Sequence, residues 1–107
     1  MKRDSVVFEK SRAFALRVIK LYNYMKSEHS EYVLSKQLLR SGTSIGANIR
    51  EAFYAHGKAD FIAKLQIALK ECSESEYWIE LLIEYGFYYT EGDSELNKQF
   101  SLTTIWL

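Results

Sequence analysis

No proline occurs anywhere in the 107 residues. Proline removes a backbone donor and clashes with the turn before it, so a chain without it, punctuated by only five glycines, is suited to long uninterrupted helices. Apolar residues recur three and four apart along most of the length, which is the helical period. The fold class expected is therefore all-α. The length supports one domain with a real core, residues 1–107. No apolar run approaches the roughly 18 residues of a membrane span.

Four helical segments follow from the pattern. Ser5 can cap a first helix over about residues 6–27, with Val7, Ser11, Phe14, Val18, Leu21 and Met25 on one face and Phe8, Ala15, Ile19 and Tyr22 widening it. A second is expected over residues 31–56, with core positions Leu34, Leu38, Ile45, Ile49 and Phe53. Gly42, Ser44, Gly46 and Ala47 fall inside it, and Gly costs about 1 kcal/mol against Ala in a helix interior. Close approach of a neighbouring helix offsets that cost, so the spacing predicts a continuous helix rather than a break at residues 42–46. Gly57 suits a C-cap. The third helix, residues 59–85, carries the stripe Phe61, Leu65, Ala68, Cys72, Ile79 and Leu82, while Ile62, Ile67, Leu69, Trp78, Leu81 and Ile83 spread apolar surface beyond it. A helix apolar around much of its circumference in so small a domain predicts self-association, with Ile67, Trp78 and Leu81 at the contact. Residues 93–107 form a short fourth helix or fray.

The second and third segments also share a polar stripe. Arg40, Ser44, Asn48 and Glu51 lie on one side of the second helix, and Lys64, Glu71 and Glu74 on one side of the third. Counted outward from Gly57, Glu51 stands opposite Lys64, Ser44 opposite Glu71, and Arg40 opposite Glu74. The expectation is a structural ladder of polar bonds that fixes helix register. The competing reading is a ligand or catalytic site built from Arg40, Asn48, Glu51 and Glu71.

Fourteen basic and fourteen acidic residues cancel, so binding to a polyanion has to come from a local patch. Residues 1–26 hold seven basic and two acidic side chains, and residues 58–86 three and six. Arg3, Lys10, Arg17 and Lys20 align along the first helix, either as a solvated face or as a footprint for RNA or DNA. Cys72 is alone and the N-terminus lacks a secretory apolar stretch, which gives a cytoplasmic default. Residues 42–46 match the G-x-S-x-G nucleophile elbow, but that motif needs a strand-turn-helix setting, and no strand precedes it. His29, His56 and Cys72 lack zinc-site spacing, and the glutamates of the third helix lack the Glu-x-x-His partners of di-iron sites. No cofactor, metal site or catalytic residue is expected.

The stretch QLLRSGTSIGANIREA followed by KADFIAKLQIALKECSESEYWIELL resembles the four-helix-bundle family named after the 23S rRNA intervening-sequence protein. The resemblance covers about residues 8–87. It implies an up-and-down antiparallel four-helix bundle with a short or frayed fourth helix, assembled as a homopentamer and without enzymatic activity. A related branch, the accessory protein of diversity-generating retroelements, binds nucleic acid together with a protein partner, a reverse transcriptase. Two expectations follow. The leading one is a non-enzymatic homo-oligomeric scaffold; the alternative is an RNA- or DNA-binding accessory protein using the basic face of its first helix.

Overall fold

A computed structural model of the chain describes residues 6–85. Among them are three helices, α1 (Val6–His29), α2 (Val33–Phe53) and α3 (Lys58–Tyr85), and no strand. The fold is all-α. Arg3, the cap expected at Ser5 and the fourth helix expected over residues 93–107 lie outside the described residues.

The first link is set by sterics and one carboxylate. Ser30 takes a positive φ of 52°, the left-handed conformation that closes many helix ends. The next backbone N–H, of Glu31, reaches back six residues to the Met25 carbonyl at 3.0 Å, one residue further than the six-to-one bond of a Schellman end. Glu31 itself is only 7% exposed. Its Oε2 accepts from the N–H groups of Val33 (3.0 Å) and Leu34 (2.8 Å), and its Oε1 from Ser35 N–H (3.0 Å). Those are orphan donors of the first turn of α2, and a negative group suits the positive end of a helix. The Glu31 side chain thus caps α2, which begins two residues later than the expected 31. At the other end α2 stops at Phe53 rather than 56, because the N–H groups of Tyr54 and Ala55 bond three residues back, to Glu51 and Ala52, and tighten the last turn. Gly57 then stands immediately before α3 instead of ending α2, its carbonyl accepting from Phe61 N–H at 2.9 Å.

α2 is the shared middle element, packed on α1 along one side and on α3 along the other. It runs unbroken through Gly42 and Gly46. The reason lies on α1. A Cβ placed on Gly42 would stand 2.9 Å from Val18 Cγ2 and 3.2 Å from Val18 Cγ1, whereas one on Gly46 would meet Ser11 Oγ at an ordinary 3.4 Å. The core that results contains Phe14, Val18, Leu21 and Met25 of α1, Leu38, Ile45 and Ile49 of α2, and Ala68, Ile79 and Leu82 of α3. Each large side chain in it contributes roughly 1.5–3 kcal/mol by burial. Leu34, Phe53, Leu65, Cys72 and Trp78 pack against this core at its margin. Two expected core positions are exposed, Val7 and Ile19. Val7 belongs to the first turn of α1, where the end of α2 is already met by Phe8 stacking on Phe53 at 5.5 Å.

Two substitutions separate the roles of the glycines. Gly42→Ala overpacks against Val18, a stiff branched side chain with no room to withdraw, and overpacking costs typically about 1–3 kcal/mol against a helix-propensity gain of about 1. It lowers the melting temperature. Gly46→Ala gains the propensity without the clash and raises it. In the same thermal scan Ser30→Gly raises the melting temperature by a few degrees, because glycine adopts positive φ without the Cβ penalty, a gain of about 1 kcal/mol or less.

Candidate functional site

The polar stripe lies along the α2–α3 contact. Arg40 Nη2 donates to both carboxylate oxygens of Glu74, and Arg40 Nη1 donates to Glu71 Oε2 at 3.2 Å. Glu71 and Glu74 are three residues apart on α3 and so face the same way, which lets one planar guanidinium span both. Nearer the α2–α3 link, Lys64 Nζ stands 3.0 Å from Glu51 Oε1. The middle rung differs from the expected one. Ser44 Oγ donates to the Arg40 carbonyl at 2.7 Å and Asn48 Nδ2 to the Ser44 carbonyl at 2.9 Å. Both are short side chains satisfied one turn back within α2, and Glu71 is taken by Arg40.

One rung escapes sequence reading. Ser41 and Ser75, both fully buried, place their hydroxyls 2.8 Å apart across α2 and α3. Small hydroxyl residues at helical spacing carry no distinctive signal, although the positions 41 and 75 mirror each other about the same turn as Arg40 and Glu74.

The ion pairs sit at the water margin. Half of the Arg40 side chain and more than half of the Glu51 side chain are exposed. Glu71's hydrogen bond, followed by the charges of Glu71 and Glu74, holds the Arg40 guanidinium above its ordinary range against partial desolvation. The hydrogen bond to Glu51 and the charge of that carboxylate raise Lys64. Burial, and then the charge of Glu76, push the Cys72 thiol up, so it is protonated and sluggish at neutral pH.

The G-x-S-x-G match lies in the middle of α2, far from any strand-to-helix turn. The His29 ring contacts the Tyr24 hydroxyl at 3.4 Å, and His56 is exposed in the bend before α3. Among the described residues no three His, Cys, Asp or Glu side chains converge as a metal site, and no helix is long and apolar enough to cross a membrane.

The remaining sequence-derived positions scatter. Ile67 is 41% exposed, Leu81 is half-buried, and Trp78 leans on the core with its Nε1 enclosed and without an acceptor. On α1, Lys10 and Lys20 are exposed, whereas Arg17 is half-buried and its Nε is enclosed without a partner. The outer side of the α1–α2 contact, unremarked in the sequence, is an open groove of about 290 Å³ lined by Phe8, Arg12, Ala15, Thr43, Ala47 and Arg50 among others.

Residues 3–104 match the model of a protein family described as 23S rRNA-intervening sequence protein. A crystal structure of a protein with unknown function from the S23 ribosomal protein family of Bacteroides thetaiotaomicron is similar at 49% identity and a TM-score of 0.82, over 97% of this chain and 95% of that one. A search of curated proteins gave no match.

A double-mutant cycle on Arg40 and Glu74 is expected to give about 0.5–1 kcal/mol of coupling, the upper part of the range for exposed pairs, because the contact is forked. For Glu51 and Lys64 the sign of the pH dependence is fixed. The lysine pKa is raised in the folded chain, so the pair's contribution is whole below the ordinary lysine value of 10.5 and is lost as pH rises through the raised one. Cys72 is expected to react with iodoacetamide at mildly alkaline pH more slowly in the folded than in the urea-unfolded chain.

Proposed function

The chain belongs to the 23S rRNA-intervening sequence protein family, and from that membership we propose that it is a non-enzymatic cytoplasmic scaffold, a four-helix bundle assembled into a homo-oligomeric ring of five. The observation that carries the proposal is the apolar surface left on two sides of α3. Ile62 and Leu69, 42% and 65% exposed, recur at heptad spacing on one side. Ile67 and Leu81, fourteen residues apart and flanked by Trp78, recur on another. In this reading residues 93–107 form the fourth helix and cover the first side, and a second copy covers the other. Burying such side chains is the ordinary driving force of obligate assembly. The polar ladder acts as a register device between α2 and α3, since forked ion pairs at a helix contact specify alignment more than they add stability.

Segregated charge supports a second reading, an accessory protein that binds RNA or DNA. α1 and α2 together carry eight basic and three acidic side chains, and α3 three and six. The footprint of Arg3, Lys10, Arg17 and Lys20 is the weaker version of it, because Arg17 is half-buried.

Light scattering on the purified protein at micromolar concentration is expected to give about five times 12.5 kDa. Ile67→Glu with Leu81→Glu should reduce that mass while helicity is kept. A wild-type monomer under these conditions contradicts the scaffold reading.

A further inference from the structure

The open groove between α1 and α2 is the end of a longer feature. Arg12, Ala15, Ile19, Tyr22 and Lys26 form one stripe along α1 at steps of three and four, and Lys36, Leu39, Thr43, Ala47 and Arg50 form one along α2. The two stripes flank each other, since Arg12, Ala15, Thr43, Ala47 and Arg50 line the same groove. The helices are antiparallel neighbours, so Arg12 and Arg50 stand together at one end, and Lys26 and Lys36 at the other. Fourteen residues separate the cations on each helix, about 21 Å at 1.5 Å per residue. All four are exposed, and among the described residues none makes an ion pair. No carboxylate occurs on either stripe. At each end a cation rests on an aromatic face, Arg50 over Phe8 at 5.1 Å and Lys26 over Tyr22 at 6.0 Å, which holds it at the rim.

We propose that this α1–α2 face binds a single strand of nucleic acid, with the four cations on its phosphates and the apolar floor of Ala15, Ile19, Tyr22 and Leu39 against its bases. The inference rests on the nucleic-acid reading above and moves its footprint to the opposite side of α1. A single strand fits better than a duplex, because packed helix axes lie about 8–10 Å apart and leave a channel too narrow for a duplex. Cationic edges with apolar or aromatic floors are the general design for single strands. Charge complementarity decides against an acidic α3 from a second copy as the occupant. Among the described residues the α3 carboxylates without a hydrogen bond or ion pair, Glu76, Glu80 and Glu84, lie in its C-terminal half only, while the cations occupy both ends of the face.

The test is fluorescence anisotropy of the full chain with a labelled single-stranded RNA of about 20 nucleotides, and with DNA of the same sequence. Four phosphate contacts predict a fall in affinity of roughly 50-fold between about 50 and about 200 mM salt. The variant Arg12→Gln, Lys26→Gln, Lys36→Gln, Arg50→Gln, with helicity and assembly mass checked, should bind at least about tenfold more weakly. Lys58→Gln with Lys70→Gln on α3 should leave affinity unchanged. Weakening with either strand type, or with both, supports the proposal. Binding that survives the fourfold variant overturns the face while the nucleic-acid reading stands. Absence of wild-type binding at low salt overturns both. A fourfold variant that loses assembly mass makes the face a contact between copies and overturns the proposal.

Discussion

The contact between Gly42 and Val18 sets the distance between α1 and α2, and most of the remaining structure inherits that distance. With 2.9 Å left for any added Cβ, the two backbones meet as closely as side chains allow, and Phe14, Leu21 and Ile45 close around the crossing. A helix in the middle of three has to be narrow where it is touched. α2 meets this with Gly42 and Gly46 toward α1 and with Ser41 toward α3, small residues placed on its two sides within six positions. Its low intrinsic propensity there is offset by the packing those residues permit.

The second contact works by different physics. α3 meets α2 through one apolar seam, one buried hydroxyl pair and a margin of ion pairs. The ladder contributes little energy because water reaches it. In the scaffold reading proposed above its value is directional, since a one-turn slip of α3 would place Arg40 away from both of its carboxylates and separate Lys64 from Glu51. Electrostatic specificity and hydrophobic adhesion are thus divided between the rim and the centre of the same contact.

Periodicity made the all-α class, the three described helices and the continuous run through Gly42 legible, because these depend on local spacing and on the absence of proline. Mirror counting about Gly57 also placed Arg40 near Glu74 and Glu51 near Lys64, since antiparallel helices joined by a short link keep equal distances from the turn. The counting misassigned Ser44 because it assumes that every polar side chain reaches across, whereas a short hydroxyl is satisfied by its own helix. Glu31 looked like an ordinary helix residue; its capping role depends on the left-handed Ser30 before it, which no composition rule announces. The groove between Arg12 and Arg50 was invisible because it joins residues of two helices whose relative rotation comes only from packing.

The Ser41–Ser75 bond has a consequence for how this chain can change over time. Ser41 Oγ also lies 3.4 Å from the Leu38 carbonyl, so replacing Ser75 alone leaves Ser41 an acceptor, whereas replacing Ser41 alone leaves the Ser75 hydroxyl enclosed without its partner, at a cost of about 1–3 kcal/mol. Replacing both with alanine removes two polar groups at once and is close to neutral. The pair is therefore held by history as much as by energy. Ser41 is constrained while position 75 remains serine, and the route that loses Ser41 first crosses a destabilised intermediate that a marginally stable domain tolerates poorly, whereas the route that loses Ser75 first strands no hydroxyl.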